Sequence, residues 1–273
     1  MTVPELIAAV VQGVVEGITE FLPVSSTGHL IISGHFLGFE DERAKIFDIF
    51  IQLGAILAIV WIYRRRFTEV LHTAAREPAS RLFVLNLLLG FLPAAVLGLL
   101  LHRWIKAHLF TPVTVAWALL VGGVVILVME RWHPAARVAD SRDLPPRTAL
   151  AIGFAQTLAL FPGVSRSAAT ILGGYALGLS RTAATEFSFF LAVPTLAAAA
   201  GYDLLKGLPS LSFADAPLFA VGFVVAFVSA FIVVKAFLRY VAHHSFTAFA
   251  WYRILVGAAL LWMASRGIII SAG

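Results

Sequence analysis

Long apolar stretches dominate this chain and set the strongest limit on its fold. Six of them approach the length of about 20 apolar residues that a helix needs to cross a bilayer, and charges or turn residues bound each one. The six predicted spans are residues 46–63, 83–101, 113–130, 186–205, 218–238 and 248–264. Because lipid offers the backbone no hydrogen-bond partner, such segments cross as helices. The sequence therefore predicts an all-α polytopic membrane protein.

Composition agrees with this class and excludes another. Hydrophobic residues make up 60% of the 273 residues, and charged residues make up 13%. The formal net charge of +5 would fit a nucleic-acid partner, but the basic residues stand in short loops between apolar runs. Basic residues in such loops act as signals of membrane topology. We therefore expect a bilayer around the chain and no nucleic acid as a partner.

Two further apolar segments are interrupted by proline and polar residues. They cover residues 6–37 and 149–177, and the interruptions fall at Pro23 and at Pro162-Gly163. Each flank is too short to cross a bilayer alone, so each segment is predicted to form a re-entrant pair of half-helices. Ionisable residues inside a membrane are costly, and by default they indicate a functional site.

The chain carries an internal repeat with an offset of 140 residues, at which one interrupted segment falls on the other and Gly38 falls on Gly178. We predict one repeat at about residues 1–135 and a second at about residues 145–273, within a single membrane domain over residues 1–273. Each half then holds one hairpin and three spans. Three is an odd number, so the second half is inverted relative to the first, and the two hairpins meet near the midplane.

The basic residues predict an orientation. One face collects eleven arginines and the other face six basic residues, so the first face is predicted to be cytoplasmic. The eleven are Arg64, Arg65, Arg66, Arg76, Arg81, Arg131, Arg137, Arg142, Arg147, Arg181 and Arg239. The six are Arg43, Lys45, Arg103, Lys106, Lys206 and Arg266. Both termini and the mouth of the first hairpin then lie outside, so the site is expected to open outward.

The first hairpin carries paired acids. Its polar run reads Glu16-Gly-Ile-Thr-Glu20-Phe-Leu-Pro23-Val-Ser25-Ser26-Thr27-Gly28-His29. Glu16 and Glu20 are four residues apart and share one face of a helix. Two such carboxylates persist in a membrane with a cation between them, or when one carries a proton. Because hard oxygen ligands suit Mg²⁺ or Ca²⁺, we expect a divalent cation on both, with proton handling and plain ion pairing as alternatives.

Hydroxyls and an imidazole follow Pro23. Ser25, Ser26 and Thr27 suit the start of a helix, where their simplest role is to cap free amide groups, and Ser25 and Thr27 are also predicted to bind phosphate. His29 lies three residues beyond Ser26, within side-chain reach on a helix. A hydroxyl with an imidazole neighbour is an activated nucleophile. His29 alternatively makes only an interhelical hydrogen bond, but the adjacent acids and hydroxyls favour a catalytic role.

The second hairpin has the composition of a phosphate site. Gly163 permits close approach of the backbone, and Arg166 supplies a guanidinium fork that fits phosphate oxygens beside a helix N-terminus. Further hydroxyl donors in this segment are Ser165, Ser167 and Thr170. Arg166 alternatively neutralises Glu16 or Glu20 across the repeat, and the two roles are compatible.

Other features give weaker indications. Lys235 and Arg253 lie near span ends and are predicted to extend toward the interface, as long basic side chains do. Small residues at Gly122-Gly123 and at 197–201 allow close helix packing within one chain or between chains. The sequence therefore leaves a homodimer open.

Together the two motifs resemble the bacterial undecaprenyl-diphosphate phosphatases of the bacitracin-resistance type. The similarity extends over nearly the whole chain, including Gln52-Leu-Gly and Glu186-Phe-Ser-Phe. The resemblance implies hydrolysis of a polyprenyl diphosphate lipid, the C55 isoprenyl diphosphate, to the monophosphate and inorganic phosphate. It further implies recycling of the lipid carrier for peptidoglycan synthesis, bacitracin resistance and dependence on a divalent cation. A bacterial plasma (inner) membrane location then follows, with the site open to the periplasm.

The resemblance also assigns roles. Glu16 and Glu20 match the acidic motif of the family, Ser26 its proposed nucleophile and His29 its catalytic histidine. Arg166 matches the phosphate-binding arginine, and Ser165 and Thr170 stand beside it. The second repeat has Gln156 and Leu160 where the first has the two carboxylates, so one active site per chain is expected.

Two mechanisms and one other class of function stay open at this point. Ser26 attacks the terminal phosphorus with help from His29, or His29 activates a water molecule directly. An inverted-repeat transporter or lipid flippase is the main alternative, because crossed hairpins at the midplane also build transporter sites. A carrier needs binding groups but no nucleophile and base, so the enzyme is favoured. A purely structural scaffold would not explain the buried polar groups.

Overall fold

The structure is a computed structural model that describes residues 1–109, 111–132, 135–207 and 212–268. Within these ranges the chain is helical, and its only β contact is an isolated bridge between Val138 and Leu179. The helices are α1 Val3–Thr19, α2 Ser26–Leu37, α3 Glu42–Ile62, α4 Arg64–Thr73, α5 Pro78–His108, α6 Pro112–Trp132, α7 Pro146–Gln156, α8 Arg166–Ala176, α9 Arg181–Gly207, α10 Ala216–His243 and α11 Thr247–Ser265. The all-α class predicted from the sequence is confirmed.

Six helices in the described residues are long and apolar enough to cross a membrane, with a mean hydropathy between 1.4 and 2.6 in their most apolar windows. They are α3, α5, α6, α9, α10 and α11. Each predicted span coincides with one of them, so the six predicted spans are confirmed. Most of these helices extend several residues beyond the predicted ends, because charged residues that stop an apolar run do not stop a helix.

The helix α4 was not predicted from the sequence, because its three consecutive arginines interrupt the apolar pattern. It is a short amphipathic helix: Val70 is buried, whereas Leu71 is 80% exposed. The hydroxyl of Thr73 in its last turn lies 2.6 Å from that of Ser80 at the start of α5. The arginine-rich connection between two spans is therefore ordered.

Both interrupted segments form pairs of short helices that break at the predicted prolines. The pairs are α1 with α2 and α7 with α8, and the four helices have 17, 12, 11 and 11 residues. At about 1.5 Å per residue, all four are shorter than the hydrocarbon core of about 30 Å. These lengths agree with half-helices, and entry and exit on one membrane face stays a prediction.

Backbone irregularities recur at the predicted offset. Ser25 and Ser165 precede α2 and α8 with φ of 73° and 77°, and they are the only non-glycine residues with positive φ in the described part of the chain. Gly38 and Gly178 lie just beyond the ends of the same two helices, with φ of 63° and 91°. The two hairpins are therefore built on the same local backbone design.

Each hairpin packs against a span of the opposite half. In α1, a methyl group on Gly13 would lie 2.8 Å from the carbonyl oxygen of Gly222 in α10. In α7, a methyl group on Gly153 would lie 2.8 Å from the carbonyl oxygen of Gly90 in α5. The backbones touch at both places, so each half of the chain interleaves with the other. The repeat boundaries and the inverted orientation of the second half stay predictions.

The small residues at Gly122-Gly123 pack within the chain. Gly122 faces the guanidinium of Arg253, and a methyl group on Gly123 would lie 2.7 Å from the carbonyl oxygen of Ala250, so α6 lies tightly against α11. In α9, by contrast, the alanines at 197–199 are exposed. Dimer formation stays a prediction.

Candidate active site

Both helix breaks border one cavity of about 160 Å³. Six of the predicted site residues line it, and they are Glu20, Ser25, Ser26, Thr27, Ser165 and Arg166. Its wall also contains Gly163 from the second break and Gln52 from α3. The structure therefore brings the two motifs together, although they are far apart in the sequence.

A larger groove of about 910 Å³ lies between α6 and α11, away from both hairpins. Its wall includes Val124, Val128 and Trp251, with Arg131 and Thr247 among its polar residues. The acids, hydroxyls and guanidinium of the two polar motifs are gathered at the smaller cavity instead. Chemistry rather than volume therefore identifies the site.

Glu20 connects the two hairpins. Its Oε2 accepts a hydrogen bond of 2.5 Å from the hydroxyl of Ser26, and its Oε1 lies 3.1 Å from Nη2 of Arg166. The side chains of Glu20 and Arg166 are only 5% and 8% exposed. Of the two carboxylates that Arg166 was predicted to neutralise, Glu20 is the one it contacts. A charge-assisted bond in such a buried place is strong and directional.

Arg166 is held by a second anchor. Its Nη1 donates to the carbonyl oxygen of Ser188 at 3.0 Å and to the Ser188 hydroxyl at 3.2 Å. Its guanidinium carbon lies 5.7 Å from the centre of the Phe21 ring. The guanidinium is therefore fixed in place, and its Nε is left without a partner in the described chain.

Both breaks place a helix N-terminus at the cavity. Ser25 and Ser165 occupy the N-cap positions of α2 and α8. The Ser165 hydroxyl accepts from the amide of Ala168 at 3.2 Å, whereas the hydroxyl of Ser25 makes no capping bond in this described segment. The first amide groups of a helix lack intrahelical partners and favour anions. Two such ends that border one cavity suit a diphosphate.

His29 does not contact Ser26, and this part of the sequence-based prediction was wrong. Its Nδ1 lies 2.7 Å from the carbonyl oxygen of Ser25, and its Nε2 lies 2.6 Å from the hydroxyl of Tyr252. Because a carbonyl oxygen only accepts, Nδ1 carries a proton, and in the neutral ring Nε2 accepts from the tyrosine. The ring turns back toward its own N-cap and toward α11. The group beside the Ser26 hydroxyl is therefore Glu20.

Glu16 is buried without a partner. It is fully buried, and neither of its carboxylate oxygens has a hydrogen-bond partner among the described residues. The charges of Glu20, Asp48 and Arg166 all act on it. Oδ1 of Asp48 in α3 is likewise buried and unpartnered within the described chain. Buried carboxylates without partners are costly unless a cation or a proton accompanies them.

Two predicted phosphate ligands lie elsewhere. Ser167 donates to the carbonyl oxygen of Leu22 at 2.6 Å. Thr170 donates to the carbonyl oxygen of Arg166 at 2.9 Å, and its hydroxyl lies 2.6 Å from that of Ser188. Neither side chain lines the cavity. Both hydroxyls therefore have structural roles. Ser167 connects the two helix breaks through Leu22, and Thr170 contacts Ser188, which holds the Arg166 guanidinium.

Arg253 does not extend to the interface, so that prediction was wrong. Its side chain is 0% exposed, and it donates to carbonyl oxygens of both hairpin breaks, among them Pro23 and Gly163. Its distance from a span end was misleading, since the irregular backbone offers acceptors deep inside the protein. Lys235 is exposed, and its Nζ lies 3.9 Å from the centre of the Phe231 ring.

Sequence reasoning missed four further residues at the site. Asp48, Gln52 and Arg253 lie inside predicted spans, and a polar or charged residue inside a span is itself a signal of function. Tyr252 gives no such signal, because aromatic residues are common near the ends of membrane helices. The aspartate could therefore have been found, whereas the role of the arginine and that of the tyrosine required the structure.

The buried acids provide two carboxylates, and no larger ligand set, for a divalent cation in the described chain. No group of three or more histidine, aspartate or glutamate side chains is placed to hold a metal in the described ranges. Mg²⁺ in phosphoryl-transfer sites, however, often takes only one or two carboxylates together with water and substrate phosphate. The unpartnered oxygens of Glu16 and Asp48 match that pattern.

Comparison with known proteins identifies the family of the chain. Residues 9–259 match the family described as bacitracin resistance protein BacA. Undecaprenyl-diphosphatase 2 of Rhodospirillum rubrum is 56% identical over 265 residues, which cover 97% of each chain. The undecaprenyl-diphosphatase of Dechloromonas aromatica is 55% identical over 256 residues, covering 94% of this chain and 93% of its own. That of Acidovorax ebreus is 54% identical over 265 residues, with 97% of each chain covered. The chain therefore belongs to the bacitracin resistance protein BacA family.

Proposed function

We propose that this chain is an integral membrane phosphatase that hydrolyses undecaprenyl diphosphate to undecaprenyl phosphate and inorganic phosphate. The observation that carries the proposal is the cavity at which the two helix breaks meet. There a hydroxyl paired with a carboxylate from one hairpin faces a guanidinium from the other. The relatives named undecaprenyl-diphosphatase support the choice of substrate. Return of the lipid carrier to cell-wall synthesis, and bacitracin resistance, follow from this activity.

The diphosphate binds between the hairpins. Free amide groups at the starts of α2 and α8 and the guanidinium of Arg166 attract its charge. The hydroxyls of Ser25 and Thr27 also line the cavity and add donors. The prenyl chain leaves the cavity toward the surrounding lipid. Fixed donors of this kind stabilise the charge that develops on the transferred phosphoryl group without reorganising during the reaction.

Geometry favours Ser26 as the nucleophile and Glu20 as its base. The Ser26 hydroxyl lies 2.5 Å from Glu20 Oε2, within the distance at which a carboxylate takes a proton. As the Ser26 oxygen bonds to the terminal phosphorus, its proton moves to Glu20, and the bond to the bridging oxygen breaks. Undecaprenyl phosphate leaves with that oxygen. Water then cleaves the phosphoserine and releases inorganic phosphate. In the alternative route, His29 activates water for direct attack.

A divalent cation, Mg²⁺ or Ca²⁺, would be held by Glu16 and Asp48 rather than by Glu16 and Glu20 alone. Both oxygens of Glu16 and one of Asp48 are unpartnered in the described chain, whereas each oxygen of Glu20 already accepts a hydrogen bond. When bound, the cation supplies positive charge against the phosphate oxygens. If Glu16→Gln and Asp48→Asn leave the cation dependence of turnover unchanged, this assignment is wrong.

The activity is tested with purified protein in detergent, by measuring phosphate release from undecaprenyl diphosphate with and without Mg²⁺ or Ca²⁺. We expect release by the wild type and a loss of at least about 10²-fold in Ser26→Ala, the scale for removal of a catalytic group. Near wild-type turnover in Ser26→Ala would eliminate the covalent route and leave attack by water. No release under any cation condition would contradict the phosphatase and favour the flippase, which lipid movement in vesicles then measures.

The site is proposed to open to the periplasmic face of a bacterial plasma membrane. The chain contains no cysteine, so a single introduced cysteine reports its own accessibility. Glu40 and Arg142 are exposed and are predicted to lie on opposite faces. With a thiol reagent that does not cross the inner membrane, we expect Glu40→Cys to react in cells with a permeable outer membrane and Arg142→Cys to stay protected. The reverse pattern would place the site on the cytoplasmic side.

A further inference from the structure

Arg253, in the first half of α11, is the largest fully buried side chain among the described residues. It makes no ion pair with a described carboxylate, and no acidic group is found to act on its charge. A buried cation without a counter-ion is costly unless its donors are satisfied in another way. The contacts of the Arg253 guanidinium must therefore account for its burial, and a role in fixing the end of α11 at the membrane interface does not.

Backbone carbonyl oxygens accept from all three guanidinium nitrogens. Nη1 donates to Pro23 and to Val164, both at 3.1 Å. Nη2 donates to Gly163 at 3.1 Å and to Ala118 at 3.0 Å, and Nε donates to Leu119 at 3.4 Å. An arginine has five N–H donors, so each one has an acceptor.

The acceptors lie on both hairpin breaks and on α6. Pro23 stands just before the Ser25-Ser26 pair, and Gly163 and Val164 stand just before Ser165-Arg166. One nitrogen, Nη1, joins the two breaks directly. Carbonyl groups in a helix break have no partner within the helix, and buried ones need a donor. A single side chain supplies that donor to both repeats.

The neighbouring helix leaves room for this guanidinium. Gly122 in α6 lies against it, and a methyl group at that position would collide with Nη2. The carbonyls of Ala118 and Leu119, in the preceding turn of α6, accept two of its bonds. The position of the guanidinium is thus determined from three sides, by two breaks and one span.

We propose that Arg253 is a positioning residue for phosphoryl transfer, which holds the two hairpin breaks at the separation that places Ser26 and Glu20 opposite Arg166. This inference rests on the proposed phosphatase activity. It assigns Arg253 no contact with the substrate. A displacement of about 1 Å at reacting groups costs on the order of 10²-fold in rate, so a loss of this link affects turnover more than binding. Lysine keeps the charge but offers three donors from one point and cannot reach five divergent acceptors.

The test compares Arg253→Lys with Gly122→Ala, which leaves the arginine intact but removes its space. Arg181→Lys is the matched control, since Arg181 pairs with Glu130 through bonds of 2.5 and 3.1 Å outside the cavity. For phosphate release from undecaprenyl diphosphate, we expect kcat to fall about 10²-fold in Arg253→Lys and about 10-fold in Gly122→Ala, with KM within about 3-fold of wild type. The control is expected to lose thermal stability and to keep kcat within about 3-fold.

A double-mutant cycle separates positioning from general stability. In an Arg166→Lys background the guanidinium that must face Ser26 and Glu20 is already missing, so correct alignment of the two hairpins contributes little to the rate. Adding Arg253→Lys is therefore expected to lower kcat by less than about 3-fold. A repeat of the full loss in that background would overturn the proposal and indicate a structural role. A normal kcat in Arg253→Lys would overturn it too. If the wild type itself releases no phosphate, the proposed activity fails instead, and the two failures are distinguishable.

Discussion

At equivalent positions 140 residues apart, the first hairpin carries Glu16 and the second carries Gln156. The amide of Gln156 donates to the carbonyl oxygen of Gly90 at 3.1 Å, and its oxygen lies 3.4 Å from the Thr195 hydroxyl. Glu16 is as deeply buried, but neither of its oxygens has a partner among the described residues. The second hairpin thus satisfies its buried amide within the protein, whereas the buried carboxyl group of the first hairpin has no partner in the described chain.

The same contrast recurs at the helix starts. The backbones at Ser25 and Ser165 have nearly the same unusual φ, and each is followed by the first residue of a helix. That first residue is Ser26 in one hairpin and Arg166 in the other. Two similar helix starts therefore present the proposed nucleophile from one side and the proposed phosphate ligand from the other. Two hairpins with similar backbones and different side chains would then form one asymmetric site.

The largest effect is expected where the two hairpins meet, at Glu20. Glu20→Gln removes the acceptor for the Ser26 proton and the charge that faces Arg166, while it keeps the shape of the side chain. Removal of a single electrostatic group at a reacting centre costs about 10²–10³-fold. We therefore expect kcat for phosphate release to fall by about 10³-fold.

Glu130→Gln is the matched control, because Glu130 is a buried carboxylate that pairs with the partly exposed Arg181 and does not line the cavity. It is expected to lower the thermal midpoint in detergent and to leave kcat per folded molecule within about 3-fold, since the broken pair lies away from the reacting groups. Equal losses of kcat in both variants would show that Glu20 acts only on stability.

A smaller effect is expected from making the first hairpin resemble the second. Glu16→Gln replaces an unpartnered buried carboxyl group, which is costly unless a cation or a proton accompanies it, with a neutral amide. We therefore expect a higher thermal midpoint together with about 10²-fold slower turnover and a weaker response to Mg²⁺. Stability and activity then change in opposite directions, as is usual where a site is built at the expense of stability. Melting curves and cation titrations of turnover measure both.

The reciprocal variant, Gln156→Glu, sharpens the comparison. It removes the amide donor to the Gly90 carbonyl and introduces a charge, so we expect a loss of about 1–3 kcal/mol in stability and no gain in turnover. If instead Gln156→Glu were harmless and Glu16→Gln destabilising, the two hairpins would not differ in the way described.

The sequence predicted the class, the six spans and the two helix pairs, because hydropathy and proline act locally. It also identified most of the polar side chains that line the cavity, since charged and hydroxyl groups inside apolar segments indicate function. Contacts between distant segments could not be predicted from the sequence. The proximity of Ser26 and His29 in the sequence favoured a pair between them, but the side-chain directions in the folded protein place Glu20 beside Ser26 and Tyr252 beside His29.

Arg253 shows the same limit for burial. Its place in the sequence resembles that of an interfacial arginine, and nothing local indicates that two distant helix breaks converge on it. Asp48 is the opposite case, because an acid inside the span 46–63 was visible in the sequence and its importance was not recognised. The fold class was thus predictable from local sequence patterns, whereas the side-chain contacts within the site depended on the packing of distant segments.

The smallest effect is expected at the two N-cap serines, where the backbones agree and the side chains differ. Positive φ costs an L-residue about 1–2 kcal/mol, and glycine relieves this cost at the expense of about 0.5–1 kcal/mol of chain entropy. The hydroxyl of Ser25 makes no capping bond within the described chain, so Ser25→Gly is expected to stabilise the protein by about 0.5–1 kcal/mol. The hydroxyl of Ser165 accepts from Ala168, and a cap is worth about 1 kcal/mol, so Ser165→Gly is expected to be neutral or slightly destabilising. The free energies of unfolding of the two variants, measured side by side, should therefore differ by about 1 kcal/mol. Equal values would mean that the two breaks are equivalent in energy as well as in backbone, and that only the side chains beyond them distinguish the hairpins.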